Sequence, residues 1–228
     1  MDHLFSDETI QFLWGIRFNN ERSWFQAHKE EYLNTLYRPM QDLGAHLLES
    51  VGEENPDLEM QLRVTRIYRD ARRVRYGGPY KEHLWLSLER PYDRDDWHGG
   101  PSLWFEIAPE GYEYGCGYWG APRDMERYRR TVLRKREEME RLARRLARQE
   151  RFQLGGETYR RPKLQLSELL DPWVNRKSIM ITHASAPDEL LCSPDLWRAV
   201  ADGFRWLLPY YRFFDALRLE PPVTDRIM

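Results

Sequence analysis

The residues best suited to chemistry lie in one short basic stretch, from Arg66 to Trp85. Between Arg66 and Lys81 it contains a single carboxylate, Asp70, and a Gly-Gly-Pro turn; its cations are Arg66, Arg69, Arg72, Arg73, Arg75 and Lys81. Guanidinium groups bind phosphate or carboxylate through paired hydrogen bonds, and a lysine adds a point charge. Like charges repel and buried charges lose hydration, so a fold keeps such a cluster at a cost. The stretch therefore predicts a site for a small anionic ligand.

Two other interpretations of the same stretch remain open. In one, Asp70, Glu82 and Glu106 neutralise the arginines, and the cluster is a salt-bridge scaffold that binds nothing. In the other, the side chains form a solvated edge of the domain. The three interpretations differ in whether the cationic groups converge on one cavity that solvent can reach.

Several polar residues are candidates to complete the anion site. Asp70 would orient the arginines or act as a general base, and Tyr80 would be a hydrogen-bond donor in catalysis. No residue in the sequence is an unambiguous nucleophile, so turnover of the ligand stays an open question and no cofactor is assigned. The remaining candidate binding residues come from two other segments: Asn20, Arg22, Arg176 and Lys177.

Other site chemistries find little support. An acidic loop contains Asp93, Asp95, Asp96 and His98, but its spacing fits no calcium loop and indicates a polar surface loop, so no metal site is predicted. There is no G-x-S-x-G motif, no Walker loop and no dinucleotide-binding fingerprint. The two cysteines, Cys116 and Cys192, have no metal-ligand spacing and are expected to be free thiols.

The elements that must position these residues alternate in type along the chain. The first fifty residues have helical periodicity, with Ser6 at the first N-terminus. Alternating patterns then predict strands near 62–66 and 83–89, a hairpin over 103–108 and 112–119, and a further extended segment over 173–182. A long amphipathic helix is predicted from 121 to 151 and a last helix from Pro194, with Pro209 ending or kinking it. This order predicts a single α+β domain over residues 1–228.

The charge balance limits the class of partner. The chain has 35 basic and 37 acidic residues and a net charge of −2, whereas a protein that coats nucleic acid is usually strongly basic. The predicted long helix does carry a local excess of six positive charges between Arg123 and Arg151. An RNA-binding accessory protein and a non-catalytic module that meets an acidic protein are therefore the alternatives to anion binding. The oligomeric state is left undetermined.

No segment of the sequence predicts an address outside the cytoplasm. The N-terminal residues lack the basic and apolar regions of a signal peptide, and no apolar run approaches the roughly 20 residues that span a bilayer. Hydrophobic residues make up 41% of the chain, enough for a sizeable core. We expect a folded cytoplasmic protein with no membrane partner.

Three motifs resemble an uncharacterised bacterial family, domain of unknown function 2461. They are N-N-x-R-x-W-F at Asn19 to Phe25, R-x-x-R-D-x-R at Arg66 to Arg72, and P-Y-K at Pro79 to Lys81. The resemblance spans nearly the whole chain; it implies a single α+β domain and no known activity. The spacer from Arg73 to Gly78 departs from the family pattern, so the roles of the family's spacer residues do not carry over.

Overall fold

The computed structural model describes residues 4–70, 78–91 and 100–220 of the chain. These residues combine helices with one antiparallel sheet, which confirms the α+β prediction. The sheet has six strands in the order β1-β2-β3-β4-β6-β5, and their bounds are β1 Gln61–Val64, β2 Leu84–Glu89, β3 Pro101–Ala108, β4 Gly111–Tyr118, β5 Gln153–Gly155 and β6 Ile179–Ser185. The predicted hairpin is β3 and β4, which are joined by two residues.

The N-terminal region is helical, as its periodicity predicts. Ser6 caps the first helix, where its backbone N–H donates to the Thr9 hydroxyl at 3.1 Å. The segments are α1 Asp7–Phe18, α2 Arg22–Ala27, α3 Lys29–Glu31, a π-helical turn Tyr32–Tyr37, α4 Arg38–Leu47, a second π-helical turn Leu48–Gly52 and a 3-10 turn Pro56–Leu58.

The predicted long helix is two helices. Helix α5 runs over Pro122–Arg134 and helix α6 over Arg136–Ala147, with non-helical backbone at Lys135, whose φ is −104° and ψ is 41°. The apolar residues that recur every seven positions are nevertheless buried on both sides of the break: Met125, Val132, Met139 and Leu146. The periodicity is the same in a broken and an unbroken helix, which is why the sequence did not reveal the break.

The extended segment predicted over 173–182 is only partly extended. Its first residues belong to a short helix, α7 Asp171–Val174, which has Pro172 in its first turn, where the missing N–H costs nothing. Strand β6 follows, and it pairs antiparallel with β5 with Leu154 opposite Ile181.

The last helix, α8 Leu196–Asp215, continues through Pro209, so the prediction that the proline ends it is wrong. A proline inside a helix removes a backbone hydrogen bond and frees carbonyl groups of the preceding turn. The Trp206 carbonyl in that turn accepts a hydrogen bond of 2.6 Å from the Arg145 guanidinium. This bond links α6 to the turn of α8 that precedes the proline.

The described chain divides into two compact units, each assembled from three segments. The first unit comprises Met1–Leu88, Trp104–Tyr114 and Ala184–Gly203, and the second comprises Glu89–Leu103, Gly115–His183 and Phe204–Met228. The first has a core in which Phe5 stacks on Phe105, with ring centroids 6.0 Å apart. In the second, Tyr118 stacks on Phe214 at 5.4 Å. None of the helices in the described ranges is long and apolar enough to cross a membrane.

Candidate functional site

The two described ends of the basic stretch lie side by side in the first unit. The Arg69 backbone N–H donates to the Pro79 carbonyl at 2.9 Å, and the Lys81 N–H donates to the Ile67 carbonyl at 2.7 Å. Tyr68 and Tyr80 form the antiparallel bridge between these bonds. The backbone pairing therefore brings Arg69 and Lys81 close together although twelve residues separate them in sequence.

The side chain of Asn20 holds this backbone pairing in place through two hydrogen bonds. Its Nδ2 donates to the Tyr80 carbonyl, and its Oδ1 accepts from the Tyr80 backbone N–H, both at 3.0 Å. Gly78 lies so near that a Cβ there would stand 2.1 Å from Oδ1, which explains the glycine at this position. The amide of Asn20 is thus engaged by backbone, and its predicted role in ligand binding has no geometric support here.

Tyr80 is a core residue. It is 1% exposed, and its ring stacks on Phe25 with centroids 4.2 Å apart. A catalytic donor must reach its substrate, and this ring is enclosed by other aromatic groups. The contacts of Tyr80 therefore explain how the stretch is anchored and do not support the predicted role in chemistry.

Glu82 neutralises part of the positive charge. Its carboxylate accepts a 2.7 Å bond from the Arg17 Nε and lies 3.3 Å from an Arg69 guanidinium nitrogen. Arg17 also pairs with Glu110. The scaffold interpretation thus describes Arg69 correctly, because its charge already has a carboxylate partner.

Arg66 and Lys81 differ from Arg69 in this respect. Within the ranges that the structure describes, neither of them forms an ion pair. Lys81 is only partly exposed, and burial, then the nearby charge of Arg66, lower the pKa of its ammonium group; the Glu106 carboxylate acts in the opposite direction and Arg63 reinforces the lowering. A half-buried ammonium group without a close carboxylate is costly to keep and marks a candidate binding position.

Glu106, which the sequence predicted only as a counter-ion of the arginines, is a titratable group of this site. It lies on β3, where it is the one charged residue of an otherwise uncharged, mostly buried strand. Burial raises the pKa of its carboxyl group to about 7; repulsion from Glu113 on the adjacent strand adds to the rise, and Lys81 opposes it. A carboxyl group with this pKa exchanges a proton near neutral pH. The lone Glu among apolar strand residues was the available sequence signal.

His83 completes the group of polar side chains around Lys81. Burial lowers the pKa of its imidazole, and the positive charges of Lys81 and Arg69 lower it further, while Glu82 opposes them. The ring is therefore neutral at pH 7, where it can both donate and accept hydrogen bonds.

A cavity of about 360 Å³ adjoins Glu106 in the first unit. Its walls are built from strand residues and from the segment that follows β6, and they include Glu106, Ala108, Gly111, Glu113, Ala184 and Ser185. Gly111 has a φ of +148°, and a Cβ there would lie 2.0 Å from the Ser185 carbonyl oxygen, so only glycine allows this close approach. The volume is in the range of small-molecule sites.

A comparison with protein-family models agrees with the resemblance that the three sequence motifs indicate. The sequence model of the family described as "Conserved hypothetical protein (DUF2461)" matches residues 8–213. This chain belongs to that family. No curated protein and no solved structure matches it significantly.

The other candidates of this DUF2461 chain are placed elsewhere. Asp70 is exposed at the end of a described range, and Arg22 is exposed on α2, where it makes no ion pair with a described residue. Arg72 of the candidate site, Arg73 and Arg75 lie outside the described residues, as does the acidic loop that contains Asp93, Asp95, Asp96 and His98. No cluster of three metal-binding side chains occurs in the ranges that the structure does cover.

Arg176 and Lys177 belong to the second unit and have partners there. The Arg176 guanidinium donates to the Gly156 carbonyl at 2.6 Å, and burial lowers its pKa. Lys177 pairs with Glu157. Lys177 of this DUF2461 chain thus has a carboxylate partner in the second unit, whereas Arg176 donates to backbone carbonyls there.

Proposed function

We propose that this protein binds a small anionic ligand, carrying a phosphate or a carboxylate group, beside Arg66 and Lys81. The observation that supports the proposal is the pair of positive charges without an ion-pair partner among the described residues, one of them half-buried. An incoming anion would replace the missing counter-charge of both groups. Arg69, which pairs with Glu82 at 3.3 Å, holds the adjoining segment in place.

Glu106 would make binding responsive to protonation. The pKa of Glu106 is about 7, and its charge acts on Lys81. The ionised carboxylate would therefore compete with the anionic ligand for the Lys81 ammonium group. Below pH 7 the carboxyl group is mostly neutral and the ligand meets the full positive charge.

A thermal unfolding assay with sulfate as the probe tests this proposal. Sulfate at 100 times its Kd stabilises the folded state by about 2.7 kcal/mol, which raises Tm by several degrees. The Lys81→Gln and Arg66→Gln variants should lose this increase. Lys29→Gln is the matched control, since Lys29 is an exposed cation on α3 that makes no ion pair with a described residue.

Sulfate also stabilises proteins by exclusion from their surface, so the measurement needs a second probe. Isothermal titration calorimetry at constant ionic strength should show saturable binding to the wild type and to Lys29→Gln. Equal binding by Lys81→Gln and Arg66→Gln would show that these residues are not the site, and the proposal would fail.

We further propose that the protein works in the cytoplasm. Cys116 is buried and Cys192 partly exposed, and both are free thiols, as is usual in a reducing compartment. Fractionation of cells that express a tagged chain would test this, and recovery in a membrane or secreted fraction would refute it.

A further inference from the structure

Helix α6 presents a row of arginines on one side. Arg141, Arg144 and Arg145, with Arg148 at the C-cap, follow the i, i+3, i+4, i+7 spacing that places side chains on one face of a helix. The apolar residues of the helix, among them Met139 and Leu142, are buried. Four cations at neighbouring positions repel one another, and this repulsion destabilises the helix unless something negative offsets it.

These arginines line a cleft in the second unit, which we call the arginine cleft. Its volume is about 640 Å³, and Gln149 and Trp206 complete its walls. No carboxylate is among the described residues that line it. Arg144 pairs with Glu140 at 2.8 Å, whereas Arg141, Arg145 and Arg148 form no ion pair within the described ranges.

The guanidinium group of Arg145 is held in a defined position. It donates to the Trp206 carbonyl at 2.6 Å and lies over the Trp206 indole, 4.0 Å from the ring centroid. Phe152 stacks on the same indole with centroids 5.0 Å apart. A long side chain normally loses rotamer freedom when it binds a ligand, and Arg145 has lost much of that freedom already. This fixed, planar cation is suited to phosphate binding and to stacking with a base.

The attraction of cations to the negative end of the helix dipole does not explain this arrangement fully. That effect favours basic residues in the last turn and is worth about 0.3–1 kcal/mol per charge at an exposed position. The helix dipole does not explain Arg141, which lies almost two turns before the end of the helix. It also does not explain why the Arg145 guanidinium stacks on the Trp206 indole beside the same cleft.

We propose that the arginine cleft binds the phosphate backbone of single-stranded nucleic acid. All four cations are arginine, whose fork binds phosphate bidentately, and the cleft extends about 10 Å along α6 from Arg141 to Arg148. That length accommodates more than one phosphate of an extended strand. An acidic protein would satisfy the charge but would make no use of the planar guanidinium on Trp206. This surface belongs to the second unit and is independent of the proposed anion site.

Fluorescence anisotropy with a labelled 15-nucleotide oligo(U) RNA tests the proposal on the full chain. At 50 mM salt, Arg141→Gln/Arg148→Gln should bind at least about tenfold more weakly than the wild type, and the slope of log K against log salt should fall by about 1. Arg160→Gln/Arg161→Gln removes the same charge from exposed positions outside the cleft and should bind like the wild type. Lys81→Gln should also leave RNA binding unchanged.

Competition and folding controls make the result decisive. A poly-glutamate chain of equal charge should displace the RNA poorly; displacement at the same charge concentration would identify an acidic-protein surface and overturn the proposal. Saturable binding of ATP without binding of the RNA would overturn it as well. Thermal unfolding of both double variants must match the wild type, and Arg145→Lys, which keeps the charge and loses the planar stack, should weaken RNA binding without abolishing it. Equal binding by the two double variants would refute the inference.

Discussion

Replacement of Glu106 by glutamine should make the protein more stable above pH 7 and should remove a loss of stability that develops between pH 4.5 and pH 7. In the wild type, the Glu106 carboxyl group has a pKa of about 7 against an ordinary value of 4.5, because burial and Glu113 disfavour its charged form. The folded state therefore holds a proton that the unfolded state releases between these two values. Stability is highest below the ordinary pKa, falls as pH rises towards 7 and is constant above it.

The size of the effect follows from this gap in pKa. A difference of about 2.5 units corresponds to about 3 kcal/mol at 1.36 kcal/mol per unit. Glu106 is only partly buried and Glu113 is exposed, so solvent screening reduces the expected loss to about 1–2 kcal/mol. Glutamine has nearly the same shape and no charge, so the Glu106→Gln variant should lack this loss.

Urea unfolding at half-unit intervals from pH 4 to pH 9 measures both proteins. The difference between their free energies of unfolding should change by about 1–2 kcal/mol between pH 4.5 and pH 7 and should be constant at higher pH. Burial and the charges of Lys81 and Arg69 lower the pKa of His83, so its protonation reduces stability on the acid side; this contribution is common to both proteins and largely cancels in the difference. Glu113→Gln should move the upper end of this pH range to lower pH. Parallel curves for the wild type and Glu106→Gln across the range would refute the electrostatic account of this site.

Three further predictions follow from the same region. Asn20→Ala should cost about 1–3 kcal/mol in urea unfolding, because two backbone groups of Tyr80 lose their partner; Asn34→Ala, at an exposed position, should cost much less. Gly111→Ala should destabilise the protein by about 2 kcal/mol or more, since its Cβ would overlap a carbonyl oxygen, whereas Gly155→Ala meets nothing closer than 3.6 Å and should be tolerated. Sulfate affinity measured by calorimetry should fall as pH rises, first as Glu106 ionises near 7 and again as Lys81 loses its proton; an affinity that is constant from pH 6 to 10 would contradict the assignment of Lys81.

Local patterns predicted the order of helices and strands in this fold, but not every element boundary. The hairpin of β3 and β4 alternates clearly and is joined by Pro109-Glu110, so its position could be read from the chain. The break at Lys135 and the continuation of α8 through Pro209 could not be predicted, because the break leaves the apolar repeat intact and the local sequence does not decide whether a proline ends a helix or lies inside it.

The site was predicted less completely, for a physical reason. The sequence identified a basic cluster but could not show that Glu82 is shared by Arg17 and Arg69, because sharing depends on how three distant segments pack. Asn20 was assigned to ligand binding from its motif, and its amide instead holds the Tyr80 backbone. The role of Glu106 depends on its burial and on charges from other segments, and no local pattern reports these.

The shared carboxylate of Glu82 implies a compromise between robustness and affinity. It holds two guanidinium groups that would otherwise add to the positive potential around Lys81. Its removal would loosen the attachment of helix α1 and, at the same time, leave an environment that is more attractive to anions. Sequence changes at this one position could therefore tune how tightly a ligand is retained, at the expense of the fold that retains it.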